Sequence, residues 1–282
     1  MEVRLIETER QDFMMKTKIG CIGGGNIVRA ILSGTKLSGN YQPGEIGIFD
    51  INDDVRKMFN DKGYVTYGSI GELVSHSQIV VIAILPQIIR KIIPEIKAVY
   101  SDQNIFISLP AGIKNDWFYE NLGDDAKVVQ CVPTLTAQVG MGAYSVNRAK
   151  AVTDADYKLA HDFLTSSGIV AEIPEDLMQE VIPFAGAAPA YFYHIADVVV
   201  QEGVKMGLDE KTVLQLFAET MKGSAEMLMT SEDSPKTLEK KLLLPKAATL
   251  SAINKMVELG FDEAWRAGIK ACVDQANNLA KL

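Results

Sequence analysis

Two rhythms of apolar positions alternate along residues 16–173. Short runs that are apolar almost throughout, Lys18–Ile22, Glu45–Asp50, Ser77–Leu85, Asn104–Ser108, Val128–Val132 and Gly142–Val146, predict strands. Ser77–Leu85 is the densest of them and is rich in β-branched residues, the pattern of a strand buried on both faces. Between the runs, Asn26–Ser38, Asp53–Lys62 and Ile88–Val99 repeat apolar residues at helical spacing. Strands alternating with helices predict βαβ units and a mostly parallel sheet. From about Asp176 the rhythm becomes helical throughout, over Leu177–Phe184, Tyr191–Met206, Asp209–Met229, Lys246–Leu259 and Phe261–Leu282. Gly207, Ser234-Pro235 and Gly260 separate these segments. The expected organisation is an extension over 1–14, an α/β domain over 15–173 and an all-α domain over 174–282, with the boundary near Ile173-Pro174-Glu175.

Composition narrows the class. A length of 282 residues suits about two domains, and 48 % hydrophobic with 23 % charged residues is an ordinary globular mix. The net charge of −8 leaves no basic stripe to neutralise phosphates, which argues against nucleic acid as a partner. Cys21, Cys131 and Cys272 are far apart and lack metal-ligand spacing. They point to a reducing cytoplasm, with neither a disulfide framework nor a zinc site. Met1 to Met14 carries several charges and no apolar h-region, and Met15-Lys16-Thr17 reads as a second start. Val181–Val200 mimics a membrane span, but Pro183, Pro189, His194 and Asp197 suit a buried helix better.

The chemistry begins where the first strand ends. Gly20-Cys21-Ile22-Gly23-Gly24-Gly25-Asn26 follows that strand directly and opens the first helix. Gly23 permits a tight turn, Gly24 continues it, and Gly25 lets a pyrophosphate approach the backbone. Asn26 and Ile27 begin the helix, whose unpaired N–H groups suit an anion. Val28 is bulkier than the Gly or Ala usual at the third fingerprint position. Asp50 ends the second strand about 25 residues on, where a carboxylate accepts from a ribose 2′-hydroxyl and repels a 2′-phosphate. Asp53 and Asp54 add negative charge, opposed here by Arg56. The expected cofactor is therefore NADH, with NADPH the alternative; a turn aspartate without a ligand is the competing explanation of Asp50. Ala83, Leu85 and Pro86 lie in the loop after the buried strand, at the strand end where such folds bind ligands.

The order of these features resembles the pyrroline-5-carboxylate reductases from Lys16 almost to the end. The resemblance runs through Ile22 to Asn26, Ala83 to Gln87, Ser108-Leu109-Pro110-Ala111-Gly112 and Thr165-Ser166-Ser167-Gly168. It continues through Ala188-Pro189-Ala190-Tyr191, Gly203-Val204-Lys205-Met206-Gly207 and Pro245 to Thr249. It implies a Rossmann dinucleotide domain, with Ala111, Gly112 and Pro133 also near the cofactor, and a helical domain that interlocks in a homodimer and shares the active site. It implies hydride transfer from NAD(P)H to the C=N carbon of a small cyclic imine. A loop of the type Ser-Pro-Gly-Gly-x-Thr would hold the substrate carboxylate, its Thr meeting the ring nitrogen. Lys246, Ala247, Ala248 and Thr249 occupy the matching positions, and Tyr191 is a further candidate for substrate contact.

Several positions depart from the family pattern. Leu244 stands for the Ser, and Lys246 and Ala247 for the two glycines. Val132-Pro133-Thr134-Leu135-Thr136 replaces Met-Pro-Asn-Thr-Pro, Leu85 replaces the Lys before Pro86, and Ala185-Gly186-Ala187-Ala188 replaces Ser-Gly-Ser-Gly. The cofactor scaffold is kept while the polar substrate pocket is thinned, and a buried carboxylate needs several donors. Two alternatives follow: an oxidoreductase acting on another C=N or C=O substrate, and a catalytically weak dinucleotide-binding dimer with a sensing or partner-binding role.

Hydride transfer asks the protein for placement and one proton. Thr249 is the best candidate, as an orienting donor or relay rather than a strong acid. His76 reads as a solvated loop residue, His161 as a surface residue and His194 as part of an apolar helix. Cys131 reads as a small buried apolar residue. The helical half carries more apolar surface than so small a domain can bury, which predicts oligomerisation.

Overall fold

A computed structural model describes residues 16–279; the expected 1–14 extension lies outside the described residues. Contacts divide the chain into two compact units, one of residues 16–186 with 276–279 and one of Ala187–Gln275. This division falls at Gly186, after the Ile173 suggested by the sequence.

The first unit is built on an eight-stranded sheet. Its strands are β1 (Thr17–Ile22), β2 (Ile46–Phe49), β3 (Val65–Thr66), β4 (Ser77–Ile82), β5 (Ile105–Ser108), β6 (Val128–Val132), β7 (Gly142–Arg148) and β8 (Gly168–Glu172). They run in the order β3-β2-β1-β4-β5-β6-β7-β8. All pairs are parallel except β6 with β7, which is antiparallel. The central register aligns Cys21 with Ile48 and Val81, and Val81 with Ile107. These side chains are fully buried, because helices cover both faces of a parallel sheet. The helices are α1 (Asn26–Ser38), α2 (Asp53–Asn60), α3 (Ile70–Ser75), α4 (Pro86–Lys97), α5 (Asn115–Leu122) and α6 (Asp154–Thr165). The chain winds outward from β1 in both directions, so a crevice opens at the carboxyl ends of β1 and β4.

Local chemistry explains the helix ends. Asn52 caps α2 by accepting from the Asp54 amide, and Ser69 caps α3 by accepting from that of Glu72. Thr153 and Asp156 form a reciprocal capping box on α6. α1 ends on Gly39, in the left-handed conformation at φ 74°. Gly34 lets α1 lie directly on the 3-10 turn Leu135–Val139, since a Cβ there would meet the Ala137 carbonyl oxygen at 2.1 Å.

One predicted helix is absent. Leu177–Phe184 is not a helix but two separate 3-10 turns, Glu175–Leu177 and Ile182–Phe184. Pro174 precedes the first, and Pro183 inside the second has no amide hydrogen to continue an α-helical ladder.

The second unit is all helical: α7 (Ala188–Lys205), α8 (Glu210–Thr230), α9 (Pro235–Leu242), α10 (Ala248–Glu258) and α11, which begins here and runs over Phe261–Leu279. α7 and α8 form a hairpin, where a Cβ on Gly203 would meet Val213 Cγ2 at 2.6 Å. α9 follows a segment expected to be only a separator: Ser234 accepts from the Thr237 amide, and Pro235 occupies the first helical turn. Among the described residues of this unit only Gly203 and Val213 are buried. Phe192, Tyr193, Leu216, Met229, Val257 and Leu259 all remain exposed. Among the described residues no helix is long and apolar enough to cross a membrane.

Candidate active site

The glycine-rich turn stands at the carboxyl end of β1, and its three glycines meet three different constraints. Gly23 has φ 99°, and a Cβ would meet the Ala83 carbonyl oxygen at 2.6 Å. Gly24 is packed against α2, where a Cβ would lie 2.6 Å from Val55 Cγ1 and 2.8 Å from Phe59. Gly25, in extended conformation, has no protein atom within 4 Å of where its Cβ would be. The protein therefore constrains Gly23 and Gly24, while the space over Gly25 is free for a ligand. Asn26 and Ile27 follow in the first turn of α1, exposed and half-buried, with no side-chain cap on that end. An uncapped helix start leaves its first amides for an anion.

Asp50 is joined to this turn. Its Oδ2 accepts from the Gly24 amide at 2.8 Å and its Oδ1 from the Asn52 amide at 2.9 Å. A carboxylate has about four lone-pair sites, so each oxygen keeps capacity for a ribose hydroxyl. Asp50 thus shapes a turn, and it keeps acceptor capacity at a strand end. Arg56, the expected counter-charge, donates to the Asp50 carbonyl and pairs with Asp53. Arg29 was not singled out from the sequence, yet its Nε donates to the Gly24 carbonyl at 2.9 Å. The available signal was a basic residue four positions after Gly25, one helical turn up.

The loops after β4 and β5 meet beside the same crevice. Leu85, Pro86, Pro110 and Ala111 line a cavity of about 610 Å³. Leu85 is exposed, Ala83 is half-buried, and Gly112 turns the chain at φ 77°. Pro133 follows β6 and is half-buried. Thr134, in the family's Asn position, is buried; its hydroxyl accepts from the Ala143 amide at 2.8 Å and pairs with the Thr136 hydroxyl at 2.8 Å. Gly186 survives from the small-residue stretch because a Cβ there would lie 3.2 Å from Val132 Cγ1. Burial pushes the Cys21 thiol up to about 12 and the Cys131 thiol up as well, so neither is a nucleophile at neutral pH.

The remaining candidates lie in the helical unit. Leu244 to Ala247 connects α9 to α10, and Ala247 is the helix-capping residue. Lys246 has φ 66°, the left-handed region that favours glycine. A lysine thus stands at a position whose backbone favours glycine. Lys246 is exposed, as are Ala248 and Thr249, the first two residues of α10, so Thr249 does not cap the helix. Tyr191 lines an apolar groove of about 440 Å³ with His194, Phe261 and Trp265. Its ring meets Trp265 edge-on at 5.6 Å. Its hydroxyl is pushed up to about 12, first by a hydrogen bond with Cys272 and then by burial. Among the described residues no three His, Cys, Asp or Glu side chains converge as a metal site.

Comparison with known proteins finds a family match in each half of the chain. Residues 175–279 match the family described as pyrroline-5-carboxylate reductase dimerisation, and residues 18–112 match the coenzyme F420-dependent NADP oxidoreductase family. A pyrroline-5-carboxylate reductase of Methanosarcina acetivorans is 26 % identical over 269 residues, covering 95 % of this chain and all of the relative. That of Escherichia coli is 27 % identical over 268 residues, with the same coverage. Among solved structures, a Plasmodium falciparum pyrroline carboxylate reductase with NADP bound superposes with a TM-score of 0.86 at 24 % identity, covering 95 % of this chain and 99 % of the other. A Coxiella burnetii pyrroline-5-carboxylate reductase superposes with a TM-score of 0.83 at 25 % identity, covering 94 % and 98 %.

Proposed function

Because the chain belongs to the pyrroline-5-carboxylate reductase family, we propose that it reduces the C=N bond of a small cyclic imine to a secondary amine. A nicotinamide dinucleotide, when bound, supplies the hydride for the imine carbon; the nitrogen takes one proton, and the products are the amine and the oxidised dinucleotide. The observation that carries this reading is Gly25: the turn around it is fixed by protein contacts, while the space where its Cβ would be is empty at an uncapped helix start. The residues present fit a dinucleotide. Gly23, Gly24 and Gly25 give the pyrophosphate its close approach, and Asn26 and Ile27 give it amides. Asp50 accepts from the adenine-side ribose, and Ala83, Leu85, Pro86, Ala111, Gly112 and Pro133 border the nicotinamide end.

NADH is the favoured cofactor and NADPH the alternative. The Asp50 carboxylate has acceptor capacity left for a 2′-hydroxyl and repels a 2′-phosphate. Thr249 orients the imine nitrogen and relays its proton, in a loop where Lys246, Ala247 and Ala248 hold the substrate. The chain acts as a homodimer or higher homo-oligomer with a shared active site. The support is a five-helix unit with only Gly203 and Val213 buried, far short of a core that stabilises itself.

A second reading keeps the chemistry and changes the substrate. Leu244 and the Lys246-Ala247 pair stand where the family pattern has a hydroxyl and two glycines, which favours an imine or carbonyl compound other than pyrroline-5-carboxylate. One assay separates the readings. Purified protein is mixed with NADH or NADPH and pyrroline-5-carboxylate, and loss of nicotinamide absorbance is followed. Turnover to proline supports the first reading. Dinucleotide binding with turnover only on other imines supports the second, and failure to bind either dinucleotide removes both. Thr249→Val is expected to lower kcat by roughly tenfold or more while dinucleotide Kd holds, as loss of a positioned proton donor does; unchanged turnover takes Thr249 out of the mechanism.

A further inference from the structure

Arg29 stands in the first turn of α1, one turn after the glycines. Its Nε donates to the Gly24 carbonyl at 2.9 Å, and the Gly24 amide donates to Asp50 Oδ2 at 2.8 Å. Both polar groups of one peptide residue are thus held by side chains of opposite charge. The Nε bond uses one of the five donors of the guanidinium and leaves those of the two terminal nitrogens. No carboxylate among the described residues forms an ion pair with Arg29, although the Asp50 carboxylate holds the amide of the same glycine. Arg56, by contrast, is committed to the Asp50 carbonyl and to Asp53. Arg29 is exposed, so an incoming ligand can reach it.

We infer that Arg29 is a phosphate-binding residue of the dinucleotide site, which rests on the dinucleotide-dependent reading above. A guanidinium is planar and suits two phosphate oxygens at once, and one already fixed through Nε loses less freedom on binding. Its anchor, Gly24, lies between Asp50 and the open position at Gly25. Two phosphates of nicotinamide dinucleotides fit that location: the pyrophosphate common to all of them, and the 2′-phosphate of NADPH. The shared chemistry is a phosphate anion offset against neighbouring carboxylates.

The test uses the full-length protein, with nicotinamide fluorescence titrated at low and high salt. Wild type, Arg29→Gln and Arg29→Lys are each titrated with NADH and with NADPH, and their thermal midpoints are recorded. Arg29→Gln is expected to weaken binding by roughly tenfold or more and to flatten its salt dependence, as loss of a charged hydrogen bond does. Arg29→Lys restores part of the affinity and the salt dependence, because it restores charge without the guanidinium fork. A loss confined to NADPH assigns the 2′-phosphate, and an equal loss for both cofactors assigns the pyrophosphate. Unchanged affinities overturn the inference. So does a loss that lysine does not rescue and that leaves the salt dependence intact, since Arg29 then only braces the Gly24 peptide. Wild type binding neither dinucleotide overturns the parent reading, an outcome seen before any variant is compared.

Discussion

Gly24 and Lys246 illustrate opposite ways in which a residue's role reaches its neighbours. Gly24 contributes only backbone, and its amide makes Asp50 part of the turn. Asp50→Ala removes the acceptor of two backbone amides at once. NADH affinity is expected to fall about tenfold, with NADPH affected less, as a lost charged hydrogen bond predicts; equal affinities by fluorescence titration would separate Asp50 from the ribose. Lys246 instead holds a left-handed backbone at φ 66° that its side chain disfavours. Lys246→Gly is expected to raise stability by up to about 1 kcal/mol, the left-handed penalty less the added entropy of glycine, in a urea titration. The glycine turn and Asp50 were legible in the sequence because their meaning is local: a strand, a turn, a helix start, and a second strand ending in an acid. The strain at Lys246 was visible only as a departure from a family pattern, since nothing in a lysine announces its φ. Arg29 was not legible, because its role depends on a side chain folding back one helical turn to a carbonyl.

At the scale of elements, the long periodic segments were readable and the short ones were not. β1, β2, β4, β5, β6 and β7 fall on the predicted runs, as do α1, α2, α4, α7, α8, α10 and α11 within a few residues. β3 has two residues and β8 carries a mixed, mostly exposed pattern, so neither presents a clear period. α3 and α9 are too short for a stripe to show and are defined by their caps, Ser69 and Ser234. The Leu177–Phe184 segment has helical apolar spacing but the wrong residue at Pro183. Gly34 is the contact point between α1 and the turn after β6. Gly34→Ala is expected to cost about 1–3 kcal/mol by overpacking, because the atom in the way is backbone; an unchanged thermal midpoint would mean α1 can shift freely. Asp209 caps α8, and its carboxyl is held below the usual range first by the Thr212 amide and then by the Thr212 hydroxyl. The depressed value makes its contribution complete above the ordinary carboxylate pKa and lost as pH falls through the folded one. The gap in thermal midpoint between wild type and Asp209→Asn should therefore be widest near neutrality and close below about pH 4, where Asp titrates.

The whole molecule is unequal in how it is held together. The first unit surrounds its sheet with a continuous core that runs from Ile19 on β1 to Phe163 on α6. The second exposes apolar side chains along every one of its helices, including Phe192, Leu216, Leu242, Val257 and Phe261. Light scattering is expected to find at least a dimer, and a monomer at working concentration would remove both the dimer and the shared site. The excess apolar surface of the helical half was legible from its spacing, while the division at Gly186 depends on tertiary contacts the sequence does not display.

On the proposed homodimer, the sparse interior of that helical unit ties the chain's endurance to its own abundance. Where a fold is finished only by a second copy, dilution acts as a denaturant: each tenfold fall in concentration removes about 1.4 kcal/mol of apparent stability per dimer. On that reading a newly made copy stays incomplete until it meets another, so the rate of synthesis joins substrate supply in setting how much finished protein exists.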